Sequence, residues 1–269
     1  MTTFSLMALI PPTYAQGALS MGQSKRIWHA KVGDSFQIQL SGVLNAKIAA
    51  KIYDIDLFDT PLKQIESLHR ESRKVVCYFS AGSSENWRPD FPNFLPKDMG
   101  KPLQGWPGEN WLDIRSTTVR KIMRARMDLA VMKGCDGIDP DNVDGYSNST
   151  GFALTAKEQL SYNLFLARQA HARGLAVGLK NDIAQVGVLA TSFEFAVNEQ
   201  CHEFNECAAY RAFTKLGKPV LNIEYQDRYV KNTDGARVAL CNSSRLEALY
   251  TLVLPITLAG TSRISCDGK

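Results

Sequence analysis

The sequence contains no GxxxxGK(S/T) loop, and no GxGxxG turn follows an apolar run, so neither nucleotide hydrolysis nor hydride transfer has a phosphate cradle to work from. CxxC pairs are missing as well. Only four histidines occur, His29, His69, His171 and His202, at no ligand spacing, which argues against a zinc centre; no metal and no cofactor are expected. The same scarcity counts against a nucleophilic triad, because His202 alone falls near a predicted strand end. Net charge is only +4, with Lys and Arg scattered along the chain, and nucleic-acid binding is left without support. No run reaches the roughly 18 apolar residues of a membrane span, so no membrane partner is expected. Repeats and low-complexity tracts are absent.

What the chain does have is carboxylates in a telling place. Gly134-Cys135-Asp136-Gly137-Ile138-Asp139-Pro140-Asp141-Asn142-Val143-Asp144-Gly145-Tyr146 sets four aspartates around one short apolar run. Desolvating a carboxylate costs several kcal/mol unless it is paired, so such a cluster at a strand end points to a cleft. Taken alone, the segment reads equally well as a polar strand-to-helix loop with capping side chains. Recurrence decides between the two. Apolar runs closed by polar or ionisable groups return at residues 74–85, 175–182, 193–199 and 219–225, and residues 111–116, leading into a helix, offer Asp113 and Arg115.

Helical stretches over 116–133, 155–173 and 207–216 separate these runs, and the alternation implies an α/β fold with a parallel sheet. A single (β/α)8 TIM-like barrel of about 250 residues would use up the chain, with its active site at the C-terminal strand ends. The expected boundaries are a leader or signal-like segment over 1–25, with an apolar run at 4–10 but no positively charged start, and a catalytic barrel over 26–269. The Pro/Gly-rich stretch 91–108 is expected to form one wall of the cleft. Cys201 with Cys207, and Cys241 with Cys266, look like staples and suggest a secreted or periplasmic protein; Cys77 and Cys135, in or beside apolar strands, are expected to be buried free thiols. A monomer is expected.

Carboxylates are plentiful among the candidates: Asp139, Asp141, Asp144, Glu199 and Glu224, with Asp54, Asp56 and Glu85 from earlier strands. Two carboxylates in a cleft with aromatics are the equipment of glycoside hydrolysis, one facing the anomeric carbon and one feeding a proton to the leaving oxygen. Trp28, Trp87, Trp106, Trp111, Tyr78, Tyr146 and Tyr225 can supply sugar-stacking faces, although each ring, weighed singly, is more often plain packing.

Eight landmarks follow one another in order: FQIQLSG (36–42), YDIDLFDT (53–60), CYFSAGSSENWRPD (77–90), WLDIRS (111–116), GCDGIDPDNVDGY (134–146), GLKND (178–182), NEQC (198–201) and NIEY (222–225). By these the chain resembles glycoside hydrolase family 114, the endo-α-1,4-polygalactosaminidases, from about 28 to 266. The resemblance implies a TIM-like barrel and cleavage inside α-1,4-linked galactosamine chains, a partly N-acetylated, cationic polysaccharide of microbial biofilms. It also implies a carboxylate pair, which falls on Asp141 and Glu199.

Counted from the strand that holds Gln39, with 111–116 left out, Asp141 closes the fourth barrel strand and Glu199 the sixth. Similar families that act on α-glycosides with retention use that arrangement, so Asp141 is expected to be the nucleophile and Glu199 the acid/base. Asp54, Asp56, Asp139, Asp144 and Glu224 are expected to provide anionic subsites for ammonium groups; the plainer role for Asp139 and Asp144 is to orient Asn142 and Lys180, and for Asp54 and Asp56 a structural role stands level with substrate contact. Lys180, Asn181 and Arg115 also lie at predicted strand ends, where a cation near Asp141 would keep it ionised. Three readings stay open beside this one: an endo-hydrolase of another α-linked amino sugar or glycan, a non-catalytic polysaccharide-binding barrel, and a metal site on the aspartate cluster.

Overall fold

Alternation of apolar residues along short strands lays out a barrel. The computed structural model describes residues 27–267, and the leader expected over 1–25 lies outside them. The first half of the chain forms β1 (Phe36–Gln39), β2 (Ile52–Asp56), α1 (Leu62–Arg70), β3 (Lys74–Ser80), β4 (Ser83–Glu85), β5 (Met99–Pro102), β6 (Glu109–Leu112) and α2 (Thr117–Lys133). The second half forms β7 (Gly137–Asp141), α3 (Ala156–His171), β8 (Ala176–Lys180), α4 (Val186–Leu189), β9 (Phe195–Glu199), α5 (Arg211–Thr214), β10 (Val220–Glu224), α6 (Asp227–Lys231), α7 (Ala236–Leu246), β11 (Tyr250–Val253) and β12 (Ile264–Ser265). Strands β1, β2, β3, β7, β8, β9, β10 and β11 pair in parallel in that order, which makes β7 the fourth barrel strand and β9 the sixth.

Each strand shows one face to the helices and one to the barrel axis, as the period of two requires. Outward residues such as Cys77, Ile138 and Leu179 join Leu68, Met123 and Leu166 of the helices in the outer core. Inward residues Ile38, Ile52, Val76, Phe195, Leu221 and Leu252 fill the lower barrel, where the Trp28 ring lies 6.2 Å from Phe195. A Cβ on Gly178 would sit 2.4 Å from the Phe195 ring, so β8 must carry glycine there.

The helices begin and end on recognisable signals. Ser116 accepts from the Thr118 N–H at 3.2 Å, Gly134 closes α2 with φ of 83°, and Thr155 with Glu158 forms a capping box on α3. The stretch 207–216 is less regular than its pattern predicts: a 3-10 turn over Cys207–Tyr210, then the single turn α5. The first crossover, between β1 and β2, carries no helix. Nor do β11 and β1 pair: the chain over 257–265 fills the seam, with β12 antiparallel to β11 and the Leu258 carbonyl accepting from the Leu40 N–H at 3.0 Å.

The insertion between β3 and α2 forms a second, three-stranded sheet in the order β4-β6-β5, above the strand ends. Buried cations anchor it. Arg88 reaches Asp56 and Glu85 at 2.5 and 2.7 Å, and Arg126 of α2 reaches Asp90 at 2.8 Å and the Ser80 carbonyl at 2.6 Å. Asp56 and Glu85 are therefore counter-ions of the framework.

Three disulfides join Cys77 to Cys135, Cys201 to Cys207 and Cys241 to Cys266. The last two were expected. The first corrects the expectation of free thiols at Cys77 and Cys135: their sequence separation of 58 hides the fact that β3 and β7 are sheet neighbours, with Cys77 facing Ile138 across the ladder. Replacing both by serine should cost about 2–5 kcal/mol, a melting temperature lower by roughly 5–15 °C in a calorimetric scan.

Candidate active site

The site is organised by a lysine with almost no access to solvent. Lys180 ends β8 between the carboxylate-bearing ends of β7 and β9, and its side chain is 2 % exposed. Its Nζ lies 3.3 Å from Asp141 Oδ2, 3.5 Å from Glu199 Oε2 and 3.8 Å from Asp139 Oδ2, and 5.4 Å from the centre of the Tyr78 ring. Because one nitrogen touches both, the nearest oxygens of Asp141 and Glu199 are separated by no more than the contacts of 3.3 and 3.5 Å laid end to end.

Two tyrosines hold the acids from opposite sides. Tyr78 OH donates to Asp141 Oδ2 at 2.9 Å, and Tyr225 OH donates to Glu199 Oε1. Burial first, and then the adjacent carboxylate, pushes both phenols well above their usual range, so they stay donors. The Asn142 N–H donates to Asp141 Oδ1 at 2.7 Å, and Asn181 Oδ1 accepts from the Glu199 N–H at 2.9 Å.

The chain leaves β7, β8 and β9 through left-handed turns at Asn142 (φ 59°), Asn181 (φ 46°) and Gln200 (φ 65°). Asparagine tolerates that conformation better than most residues. A Cβ on Gly82 would fall 1.7 Å from the Asn142 carbonyl oxygen, so glycine is needed for the β3 exit to close on the β7 exit.

One layer below, Asp54 and Asp139 face each other, 1 % and 0 % exposed. None of their four oxygens has a hydrogen-bond donor from another residue, Lys180 standing off at 3.8 Å from Asp139 Oδ2. One shared proton resolves this, with an acid of the pair donating to its neighbour. Burial and their mutual repulsion raise Asp54. Burial also raises Asp139, with Lys180 opposing and Asp141 and Glu199 adding to the rise. Burial alone would lower Lys180, but Asp141, Glu199, Asp139 and Asp54 together outweigh it and hold its pKa well above normal.

A cavity of about 290 Å³ opens over these groups. Of the residues expected from the sequence, it brings together Asp141, Glu199, Lys180, Tyr78, Tyr225, Asn142, Asn181 and Asp144. Five others lie elsewhere. Asp54 and Asp139 are beneath the floor, and Asp56 is neutralised by Arg88. Glu224 is 0 % exposed on the outward face of β10, where it accepts from the His202 N–H at 2.9 Å and from Asn222; one step of register gives the inward position to Tyr225 instead. Its carboxyl is pushed up to about 7 by burial.

Arg115 is also away from the cleft, paired with Asp113 at 2.8 Å and Glu158 at 3.6 Å at the helix starts. The cation expected near Asp141 is Lys180, which touches Glu199 as well. The wall expected from 91–108 is present, with Leu103, Gln104 and the half-exposed Trp106 lining the cleft beside Trp111.

Sequence reasoning missed Glu109, which lines the cleft from β6, and Gln200. Glu109 lies in no barrel strand, so strand-end counting passes over it. A second cavity of about 450 Å³ adjoins the first and shares Asp144, Asn181, Glu199 and Gln200 with it, which lengthens the opening into a groove. Among the described residues, the one compact metal-ligand grouping is Cys201, His202 and Cys207, whose two sulfurs are tied in a disulfide.

A parallel α/β barrel with paired acids at the ends of its fourth and sixth strands defines a glycoside hydrolase. The family model for Glycoside-hydrolase family GH114 matches residues 17–269, and the chain belongs to that family. The crystal structure of Aspergillus fumigatus Ega3 in complex with galactosamine is 41 % identical, covering 91 % of this chain and 100 % of that one, with a TM-score of 0.84. The glycoside hydrolase domain of PelA from Pseudomonas aeruginosa shares the fold, with a TM-score of 0.67 at 14 % identity over 86 % of this chain and 98 % of that one. An uncharacterized protein of Deinococcus radiodurans is 23 % identical over 221 residues, 71 % of this chain and 72 % of the relative.

Replacing Lys180 by methionine should lower kcat by at least about 100-fold, the scale of losing a charged group that stabilises reacting atoms. Removing a positive charge makes the neighbouring carboxylates harder to ionise, so the acid limb of kcat/KM against pH should move to higher pH. An unmoved limb would take Lys180 out of the electrostatics of the site.

Proposed function

We propose that the protein is an endo-α-1,4-polygalactosaminidase that works with retention, Asp141 acting as nucleophile and Glu199 as acid/base. The observation that carries this is the convergence of both acids on the Lys180 ammonium inside one cavity. Contacts of 3.3 and 3.5 Å to one nitrogen permit the separation of about 5–5.5 Å that retaining enzymes use and reach only the low end of the roughly 6.5–9.5 Å of inverting ones. The galactosamine in the Ega3 complex supports the choice of sugar.

In the first step Asp141 attacks the anomeric carbon while Glu199 gives its proton to the departing glycosidic oxygen, leaving a glycosyl ester on Asp141. Glu199, now ionised, then takes a proton from water, whose oxygen attacks the same carbon and frees Asp141. The assignment follows the hydrogen bonds. Asp141 receives one from Tyr78 and one from the Asn142 N–H, besides the closer Lys180 contact, all of which stabilise a carboxylate. Glu199 receives one, from Tyr225, and is the more exposed of the two, 25 % against 18 %.

The two adjoining cavities suit internal cleavage, since a chain can continue past the acids on both sides. Asp144 lines both cavities and is the anionic contact retained from the sequence expectation. Three disulfides fit an oxidising, extracellular or periplasmic setting, and no helix among the described residues is long and apolar enough to cross a membrane.

Incubation with deacetylated α-1,4-galactosamine polymer, followed by mass spectrometry, should give oligomers of intermediate length, and NMR at early times should show the α-anomer. A first-formed β-anomer would overturn retention, and monomer release from chain ends would overturn endo action. Asp141→Asn and Glu199→Gln should each lose about 100- to 10,000-fold in kcat with unchanged melting temperature.

A further inference from the structure

The carboxyl group of Glu109 enters the cleft from the roof, on β6 of the insertion sheet, in the same cavity as Asp141 and Glu199. It is 7 % exposed. Ser83 Oγ donates to its Oε2 at 2.6 Å, and Ser83 is itself fixed by Ser80 Oγ at 2.6 Å and by Asn142 Nδ2 at 3.3 Å. This chain of hydrogen bonds ends at the residue whose N–H holds Asp141, so Glu109 is placed in register with the reacting groups.

Its charged surroundings are lopsided. Glu85 on β4 and Asp141 on β7 repel its charge, and Tyr78 on β3 faces it as a neutral phenol. Arg88, the cation near it, already serves Asp56 and Glu85. Lys180 lines the same cavity but is engaged by Asp139, Asp141 and Glu199. A carboxyl group this buried, held in place and left without a cation of its own, costs free energy when ionised unless a ligand supplies the positive charge.

We propose that Glu109 is a specificity-determining residue that receives the ammonium group of a deacetylated sugar and thereby selects amino sugars over their N-acetylated forms. This rests on the galactosaminidase reading and adds to it the residue that reads the amine. A charge-assisted hydrogen bond is about twice as strong as a neutral one, and an acetamide brings no charge to the carboxylate.

The free protein should hold Glu109 near half ionisation at neutral pH, because burial pushes its carboxyl up to about 7, with Glu85 and Asp141 adding to the rise against the Ser83 hydrogen bond. An arriving ammonium favours the ionised form, so binding must expel part of a proton.

The test is calorimetric titration on the inactive Glu199→Gln background with α-1,4-galactosamine tetrasaccharide and its fully N-acetylated counterpart. It is run at about pH 5.5, where the sugar amines arrive protonated and take up none of the protons that Glu109 gives up, in two buffers of different ionisation enthalpy, which together count protons. The tetrasaccharide with free amines should bind at least tenfold more tightly and release protons, while the acetylated one releases none. Adding Glu109→Gln should narrow that preference at least tenfold and abolish the Glu109 proton release; adding Glu109→Asp should keep a measurable part of both.

An unchanged preference in Glu109→Gln, or equal loss of affinity for both sugars, would overturn the proposal. Absence of proton release without the Glu109 substitution would overturn it even if that variant failed to fold. Hydrolysis by the wild-type protein is followed separately: binding with proton release but no cleavage of polymer would sink the hydrolase reading and leave the role of Glu109 standing.

Discussion

The ammonium of Lys180 is the charge around which the rest of the site is arranged. A lysine so deeply buried would lose its proton without anionic company, and four carboxylates crowded together would not stay ionised without a cation. Each makes the other tolerable. With one proton shared between Asp54 and Asp139, the cluster of Asp54, Asp139, Asp141, Glu199 and Lys180 carries a net negative charge. That sign suits both a cationic polymer approaching the cleft and the positive character that grows on the sugar ring in the transition state.

Holding these groups in register falls to the backbone. Three consecutive strand exits pass through left-handed conformations at Asn142, Asn181 and Gln200, which cost free energy and persist because the surroundings fix them. Asn142 is fixed by Gly82 and Ser80, and Asn181 by the Glu199 N–H and Asn198. Above them, the Arg88 and Arg126 ion pairs secure the insertion sheet to β2 and α2. Losing one partner of such a buried pair would cost about 3–5 kcal/mol, which ties the position of the cleft roof closely to the stability of the whole fold.

The barrel was legible because its signals are local. Period-two alternation places Asp139 and Asp141 on one face and Ile138 on the other, and the same rule brings Glu199 inward two strands later. Where only the identity of neighbouring strands could decide, the sequence was silent. Cys77 and Cys135 form a bond because β3 lies beside β7, a fact that a sequence separation of 58 conceals. Glu224 stands one residue from the inward position that Tyr225 takes, a distinction finer than the apolar pattern of the sequence carries. Asp56 ends a barrel strand as a cleft acid would, but Arg88, folded back from the insertion, neutralises it. Glu109 belongs to a small antiparallel sheet with no place in barrel counting, and only its position above the strand ends makes it part of the site.

The seam between β11 and β1 gives the barrel a distinct mechanical character. Seven junctions around the hoop are hydrogen-bonded ladders, whereas the eighth is laced by an irregular length of chain. Cys266, just past β12, is bonded to Cys241 on α7, so this lacing is fastened at its loose end by a covalent clasp. Ile256 and Leu258 lie in the same stretch and line the cleft. The place where the hoop is most easily undone is thus also part of the rim over which substrate passes, and the oxidised state of one cysteine pair keeps that rim in shape.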